Sequence, residues 1–384
     1  MNQLTYVLIN PYIIYKSRTG SVISRLLSRS TNMHIVGARM FAPSQELVDD
    51  YLDALNYDHK DGDTNRIDGF IYDYVKKRYA PSSDGSKRRV MLLLLEGENA
   101  IEELKENVVG AIIRENVGET IRDTFGDYIE NENGDVIYFE PAVLIPRTVE
   151  SAKKHIDVWM KHADNDSGIL ENVAFPKNAD VQKTLVMIKP DTLAQSRTRT
   201  GAVIDIFAKT GLKIIAIKII HMTVAQAMEF YGPVRQFFIN KFADKVGDKV
   251  NRALSNAFEF DIPAETVEMV KEQLKVKNAD NEFGKIVNFI TGCDPWNTPE
   301  SEWSTASKET CIALVYQGEN AIEKIRNQLG STDPNKAAPA TVRKEFGQNV
   351  MVNTAHASDS PENAEREMGI LKIAENDLVE IVTR

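Results

Sequence analysis

The chain has few of the features that mark secreted, membrane-spanning or metal-binding proteins. Its 384 residues include only two cysteines, Cys293 and Cys311, which are too few for a disulfide framework and too far apart for a short metal motif. No apolar run approaches the ~20 residues of a membrane span, and the N-terminus lacks the pattern of a signal peptide. We therefore expect a soluble protein of the reducing cytoplasm that has no membrane partner.

Positive charge is also scarce. The chain carries 46 Lys and Arg against 56 Asp and Glu, which gives a formal net charge of −10. This acidic balance argues against a nucleic-acid partner, because such a partner needs a basic surface. The glycine-rich phosphate loops of P-loop enzymes and protein kinases are absent as well. A small anionic ligand would therefore need a local cluster of arginine and lysine side chains.

One module occurs twice in the sequence. Four segments recur in the same order, and the matching pairs are 4–11 with 184–190, 18–23 with 199–204, 94–101 with 315–322, and 119–126 with 340–347. Such internal repetition predicts two homologous domains, over 1–165 and 180–384. The polar, turn-rich segment 161–168 is predicted to join them.

The apolar pattern of the second copy predicts alternating strands and helices. Strands are predicted at 185–188, 212–220, 310–316 and 349–353, and helices at 201–209, from 223, at 319–329 and from 360. The order βαββαβ followed by a helix is typical of the ferredoxin-like arrangement. The predicted fold class is therefore α+β, with two tandem ferredoxin-like domains whose sheets are antiparallel.

His356 is the most informative single residue. It lies between the strand predicted at 349–353 and a helix that Ser360 and Pro361 are predicted to begin as N-cap and first residue. A helix N-terminus suits an anion such as phosphate, and an imidazole is partly unprotonated and nucleophilic at pH 7. The alternative is a lone histidine that only packs at a strand end.

Four motifs around this histidine resemble the nucleoside diphosphate kinase signature. They are Ile-Lys-Pro-Asp at 188–191, Gly-Ser-Thr-Asp-Pro at 330–334, Thr-Val-Arg at 341–343 and Asn-x-x-His-Ala-Ser-Asp-Ser at 353–360. The resemblance implies a ferredoxin-like fold and transfer of the γ-phosphoryl group from a nucleoside triphosphate to a nucleoside diphosphate. It also implies a ping-pong route through phosphohistidine, with ATP as a donor and Mg²⁺ bound with the nucleotide rather than by protein ligands.

The resemblance assigns roles to nine residues of the second copy. His356 would be the phosphorylated nucleophile, and Ser358 and Glu367 would hold and polarise its ring. The residues that match phosphate, sugar and base contacts are Lys189, Tyr231, Arg326, Thr332, Arg343 and Asn353. Guanidinium groups can fork onto phosphate oxygens, and lysine supplies a compact charge, so these residue types suit a phosphate ligand. Taken singly, each of them also fits an ordinary structural role.

The first copy departs from this pattern at nearly every site position. The residues opposite His356, Lys189, Thr332, Asn353, Ser358 and Glu367 are Leu144, Asn10, Ile112, Pro141, Pro146 and His155, and only Arg122 (opposite Arg343) and Lys105 (opposite Arg326) stay cationic. A leucine cannot accept phosphate, so we expect a degenerate copy that does not catalyse transfer; whether it binds any ligand stays open. The two copies are expected to form an internal pseudo-dimer, and the chain a homo-oligomer.

The second copy also departs from the family, in the region that would clamp the base. The stacking phenylalanine could lie at 237–238 or in the segment 283–292, which contains Phe283 and Phe289. An insertion at about 238–282, helical at 240–257 and 264–274, could be a peripheral hairpin or a lid. Trp296 and Trp303 could pack their loop or stack on a base. A nucleotide-binding regulatory or assembly protein with slow or no turnover is therefore the alternative function.

Overall fold

The computed structural model describes residues 2–30, 32–55, 63–112, 118–171, 173–175, 180–195, 197–241 and 243–384. Its strands are β1 (Asn2–Ile9), β2 (Met33–Phe41), β3 (Val90–Glu98), β4 (Asp127–Glu130), β5 (Val136–Glu140), β6 (Val143–Leu144), β7 (Gln182–Ile188), β8 (Lys213–Ile220), β9 (Cys311–Gly318) and β10 (Ala355–Ala357).

Eighteen α-helices are present in the described part. They are α1 (Pro11–Tyr15), α2 (Thr19–Arg29), α3 (Gln45–Leu55), α4 (Asp63–Arg78), α5 (Ala100–Glu103), α6 (Ile121–Phe125), α7 (Val149–Lys161), α8 (Ala163–Asp166), α9 (Pro190–Gln195), α10 (Arg197–Ala208), α11 (Val224–Phe230), α12 (Gly232–Lys241), α13 (Ala243–Phe258), α14 (Ala264–Thr291), α15 (Ala321–Leu329), α16 (Val342–Phe346), α17 (Pro361–Ile370) and α18 (Leu378–Val382). A π-helical turn at Leu104–Val109 continues α5, and Glu300–Glu302 form a 3₁₀ turn. None of the described helices is long and apolar enough to cross a bilayer.

The chain divides into two units, residues 1–219 with 312–384, and residues 220–311. The larger unit contains two four-stranded sheets, with strand orders β2-β3-β1-β6 and β10-β7-β9-β8. Read from the opposite edge, the second order matches the first, and β1 and β7 are each central and antiparallel to both neighbours. The prediction of two tandem α+β domains with antiparallel sheets is therefore confirmed.

Buried apolar strands form the centres of both sheets. Four consecutive residues of β1, Tyr6 to Ile9, are wholly buried, and every residue of β9 is buried. Strands buried on both faces read as continuous apolar runs, which is why periodicity located them. The register places Leu144 opposite Leu8 and His356 opposite Met187, so these two residues hold the same position in their sheets.

Helices α2 and α10, one from each copy, approach each other closely at two glycines. A Cβ atom on Gly20 would overlap the carbonyl oxygen of Gly201, and a Cβ on Gly201 would overlap that of Gly20. Ser21 adds hydrogen bonds from its backbone N–H (3.0 Å) and hydroxyl (2.6 Å) to the Asp205 carboxylate. The two copies therefore pack helix against helix where only glycine allows the backbones to meet.

The segment predicted as a polar joint is an ordered part of this packing. Gly168 N–H donates to the Met40 carbonyl on β2 (3.2 Å), and Leu170 N–H donates to the Ile215 carbonyl on β8 (2.9 Å). The segment thus connects the edge strands of the two sheets. Asp166 within it is buried and pairs with Lys87 at 3.0 Å.

The C-terminal segment of the second copy is bound by both sheets. Arg39 on β2 donates to the carbonyls of Ala374 (3.0 Å) and Glu375 (2.8 Å), and Lys218 on β8 donates to that of Lys372 (2.8 Å). Leu378, at the start of α18, is wholly buried in the hydrophobic core of the first copy. Residues from the end of the chain therefore complete the core near its beginning.

Replacing Leu378 by alanine is expected to lower the free energy of unfolding by about 2–5 kcal/mol, because the change leaves a cavity in a packed core. Urea unfolding followed by tryptophan fluorescence measures this, since Trp159 lies in the same core cluster. The matched control is Val379→Ala, because Val379 is 45% exposed in the same helix. Equal losses for the two variants would contradict the inserted position of Leu378.

A buried polar network lies inside the first copy. The Tyr6 hydroxyl contacts the Tyr51 hydroxyl (3.1 Å) and Nδ1 of His155 (2.7 Å), and Nε2 of His155 lies 3.2 Å from the Ala54 carbonyl. Burial lowers the pKa of His155 to about 4, because the charged imidazolium would lose its water.

His155 should make the chain less stable in mild acid. The unfolded state binds a proton near pH 6.5 and the folded state only near pH 4, so stability is full above 6.5 and falls as the pH drops through this window. The expected loss is up to about 3 kcal/mol. Urea midpoints at pH 7 and pH 4.5, compared with those of His155→Gln, measure it; an unchanged pH dependence in the variant would count against this origin.

The second unit is mainly helical. Thr223 and Gln226 form the predicted capping box at the start of α11. Helix α14 does not end near 274 as predicted but continues to Thr291, where Gly292 ends it with a left-handed φ of 71°. No glycine–proline pair or other strong breaker interrupts the sequence before that point, which explains the longer helix.

The tryptophan loop packs within this unit. The Trp296 indole N–H donates to the Asp280 carbonyl (3.2 Å), and its ring lies against Gly284, where any larger residue would clash. The Trp303 indole N–H donates to the Thr298 carbonyl (3.0 Å). These contacts correspond to the alternative in which the two tryptophans pack their own loop.

Candidate functional site

His356 is the middle residue of β10, not a residue beyond a strand end. The strand predicted at 349–353 is wrong, because the Asn349 side chain accepts hydrogen bonds from the backbone N–H groups of Met351 (2.9 Å) and Val352 (2.9 Å) and folds this stretch into a turn. The three-residue strand β10 follows this turn and pairs in antiparallel orientation with β7, a central strand of the sheet. His356 is therefore held by strand pairing beside β7, whose last five residues are buried.

A buried glutamate holds the imidazole ring. Nε2 of His356 lies 2.9 Å from Oε2 of Glu367, and the Ser358 hydroxyl donates to the same oxygen at 2.6 Å. Glu367 is on α17, which begins at Ser360 as N-cap with Pro361 at the first position, as predicted. A carboxylate only accepts, so Nε2 carries the proton and Nδ1 has the lone pair. The structure thus brings together the three predicted catalytic residues.

Replacing Glu367 by glutamine is expected to lower kcat for phosphoryl transfer by about 10–100-fold, since the ring loses the partner that fixes its tautomer and orientation. Steady-state assays of transfer, with Kd for ADP measured alongside, test this. The control is Glu365→Gln, whose side chain is exposed on the same helix. A fall in ADP affinity with unchanged kcat would assign Glu367 to nucleotide binding instead.

Four further predicted residues form a chain of contacts beside His356. Lys189 Nζ donates to Oδ1 of Asn353 (2.7 Å), and Nδ2 of Asn353 donates to the Thr332 carbonyl (3.1 Å). Arg343 donates to the Thr332 hydroxyl (3.5 Å) and to the Ala355 carbonyl (3.0 Å), next to the histidine. Arg343 lies on the short helix α16. Residues from four separate elements therefore converge on the strand that carries His356.

Two residues without an assigned role fix the backbone just before the histidine. Thr354 has a left-handed φ of 78°, and its N–H donates to Oδ2 of Asp191 at 3.1 Å. Its carbonyl accepts from the Lys189 N–H (2.9 Å) and the Thr192 hydroxyl (3.0 Å). Burial raises the pKa of Asp191, and the charge of Lys189 opposes this shift. Asp191 belongs to the motif at 188–191, which was the available signal; nothing in the sequence marks Thr354.

Two further predicted contact residues, Arg326 and Tyr231, lie on other elements. Arg326 is exposed in the last turn of α15, a helix that packs against β7 and β10. Tyr231 belongs to the other unit, where it is buried and its ring contacts Phe230 at 4.9 Å between centroids. Their assignment to phosphate and base contacts stays a prediction.

No cluster of potential metal ligands surrounds His356 in the described part of the chain. Among the described residues, a group of three such side chains lies in the first copy instead, and consists of Glu46, Asp50 and His162. Asp50 in that group already accepts hydrogen bonds from Lys161 (2.6 Å) and from His162 (2.7 Å). Beside the Glu367 carboxylate, the elements near His356 carry the cations Lys189 and Arg343, which suit the phosphate groups of a ligand.

Comparison with known proteins agrees with this geometry. The family model described as nucleoside diphosphate kinase matches residues 182–249 and 300–375. The nucleoside diphosphate kinase of Bradyrhizobium diazoefficiens is 30% identical over 184 residues, which are 48% of this chain and 88% of that protein. That of Bdellovibrio bacteriovorus is 30% identical over 192 residues, or 50% of this chain and 92% of that protein.

Two solved structures of nucleoside diphosphate kinases from other organisms also match about half of this chain. The Aquifex aeolicus nucleoside diphosphate kinase is 25% identical with a TM-score of 0.33, covering 52% of this chain and 97% of that one. The Pyrobaculum aerophilum NDP kinase is 25% identical with a TM-score of 0.35, covering 51% and 100%. The sequence relatives, each matched over most of its length, decide the assignment: this chain belongs to the nucleoside diphosphate kinase family.

Proposed function

We propose that this chain transfers the γ-phosphoryl group of a nucleoside triphosphate to a nucleoside diphosphate through phosphorylated His356. The observation that carries the proposal is the 2.9 Å contact between Nε2 of His356 and Glu367. This contact holds the proton on one ring nitrogen and leaves the lone pair on the other. A histidine fixed in this way is a ready nucleophile at neutral pH.

The transfer occurs in two balanced steps. Nδ1 of His356 attacks the γ-phosphorus, an N–P bond forms, and the bond to the β-phosphate oxygen breaks as the nucleoside diphosphate leaves. A second nucleoside diphosphate then attacks the phosphorus through its terminal oxygen, and the N–P bond breaks. During both steps the Glu367 carboxylate accepts a hydrogen bond from the Nε2–H group of His356, and it stabilises the positive charge that the ring gains.

The cations near the histidine stabilise the phosphate charge. Lys189 supplies a compact charge and Arg343 a planar guanidinium, the two forms that suit a loose phosphoryl-transfer transition state. Arg326, Thr332 and Asn353 add phosphate and sugar contacts, and Tyr231 belongs to the base clamp. Mg²⁺ enters with the nucleotide as part of the substrate, coordinated by phosphate oxygens and water.

The two copies have different roles in this proposal. The copy at 180–384, with its helical insertion at about 238–282, is catalytic, and the copy at 1–165 is a partner domain without a nucleophile. Packing of α2 on α10 supports an internal pseudo-dimer. Association of whole chains into a homo-oligomer, the cytoplasmic location and the lack of nucleic-acid and membrane partners stay predictions from the sequence.

Incubation with γ-³²P-ATP and Mg²⁺ tests the proposal. We expect one phosphoryl group per chain, stable in base and labile in acid, that moves to GDP when GDP is added. Peptide mapping should locate it at 355–357. Nucleotide binding without a transferable adduct would overturn the proposal and favour the regulatory or assembly function.

A further inference from the structure

A cleft of about 470 Å³ opens in the first copy, away from His356. It lies among the start of the π-helical turn with 110–112, the start of α6, and residues 145–147 after β6, and α4 forms a further wall. In the second copy the matching segments are those that hold Thr332, Arg343 and Ser358. The degenerate copy has therefore kept an open space where the other copy has its phosphate-facing residues.

Arg122 at the base of this cleft keeps the geometry of Arg343. It donates to the carbonyls of Gly110 (2.8 Å) and Val143 (3.3 Å), as Arg343 does to those of Gly330 (3.1 Å) and Ala355 (3.0 Å). The two glycines have nearly the same left-handed φ, 79° and 84°, and each faces a threonine that leaves no room for a Cβ. The support for this arginine has thus survived although the nucleophile has not.

The buried charge of Arg122 is compensated by its two carbonyl hydrogen bonds but not by an ion pair. The side chain is 8% exposed, its Nε has no hydrogen-bond partner, and no carboxylate among the described residues lies within ion-pair distance. Burial and the nearby charge of Arg147 lower its pKa to about 9. A buried, unpaired cation is costly, and an anion in the cleft would remove that cost.

Two more cations stand at the rim. Arg147 pairs with Asp68, and Lys105 pairs with Glu106 at 2.7 Å and Glu102 at 3.7 Å. The side chains of all these partners are at least one-third exposed, so the pairs are weak and can be exchanged for a ligand. Glu106 and Asp123 also line the cleft, so its charge is cationic in part and not throughout.

The remaining wall is apolar. Isoleucine side chains from α4 and from the segment after β6, including Ile71 and Ile145, face the same space. A bare phosphate ion would leave most of this surface uncovered. A cleft of this size, with an apolar wall and a cationic end, instead fits a phosphate ester with an apolar ring system.

We propose that the first copy binds a nucleotide in this cleft and holds it without transferring its phosphoryl group. The phosphate lies toward Arg122, Arg147 and Lys105, and the base lies on the isoleucines. Transfer does not follow, because Leu144 holds the register position of His356. The chain then binds two nucleotides, one at a transferring site and one at a static site.

Titration calorimetry of the full chain with Mg-ADP tests this proposal. The wild-type chain should bind two ADP. Arg147→Glu and, separately, Lys105→Glu should weaken one event at least tenfold while kcat for transfer stays within twofold. The matched control is Lys76→Glu, an exposed lysine of α4 that does not line the cleft and should leave both events intact.

The outcomes separate this site from the one at His356. The static site would be overturned if the chain binds a single ADP and neither cleft variant weakens that binding. It would also be overturned if the chain binds two ADP and neither variant weakens either binding event. A single event lost in the cleft variants would support the static site and count against nucleotide binding at His356. Pyrophosphate binding as tightly as ADP at this site would overturn the nucleotide assignment, because the apolar wall would then contribute nothing.

Discussion

Replacing His356 by alanine is expected to lower phosphoryl transfer from ATP to GDP by at least about 10³-fold, because the route has no other nucleophile. The phosphorylated intermediate should vanish with it. Coupled assays give the rate, and γ-³²P labelling gives the intermediate. Since Asn353 holds the Lys189 ammonium group, and the carbonyls of Gly330 and Ala355 hold Arg343, the affinity for ADP should stay within about tenfold.

The matched control is His34→Ala, which removes an exposed histidine from β2 in the first copy. This variant should keep the wild-type rate and labelling. Two results would contradict the assignment. One is transfer by the His356 variant at more than a few per cent of the wild-type rate, and the other is a phosphoryl adduct at a different residue that still moves to GDP.

Much of the site could be predicted from local sequence patterns. Ser360 and Pro361 begin α17 where capping chemistry placed them, and Glu367 follows two turns later, facing the strand. The recurrence of four segments predicted two sheets of one topology, and both are present. These features depend on residues close together in the chain or on a repeated pattern, so one sequence contains the necessary information.

Other features depend on contacts that no local pattern contains. The stretch at 349–353 is apolar enough to resemble a strand, yet the Asn349 side chain bonds the backbone into a turn and the strand forms three residues later. Thr354 adopts a left-handed φ, and its N–H is held by Asp191, more than 160 residues away in the chain. Tertiary contacts here outweigh local preference.

The link between the two copies was likewise hidden in the sequence. Gly168 belongs to the segment predicted as a polar joint, and no sequence pattern singled out Leu378, but each contacts an element of the first copy. The core that Leu378 enters is formed by residues hundreds of positions earlier in the chain. The strand that Gly168 contacts becomes a sheet edge only when the whole sheet has formed. The glycines at 20 and 201 were visible as repeated positions, but their close approach was not.

Lys189 offers the second large effect. It is 9% exposed, and Asn353 holds its ammonium group at 2.7 Å, so its charge is fixed before any ligand arrives. Asn10 has the same place in the first copy, where its amide oxygen accepts from the Tyr79 hydroxyl at 2.6 Å and supplies no charge. The two copies therefore differ at this position by one fixed positive charge.

Replacing Lys189 by methionine removes the charge and keeps a side chain of similar length. This change is expected to lower kcat/KM by about 10²–10³-fold, because a preorganised charge stabilises the transition state more than the ground state. Lys183→Met is the matched control, since Lys183 lies on β7, the strand that ends just before Lys189, and pairs with Glu171 and Glu365. Single-turnover phosphorylation by ATP measures the step directly. A similar loss in both variants would trace the effect to β7 as a whole, whereas a loss confined to Lys189 places its charge beside the transferred phosphoryl group.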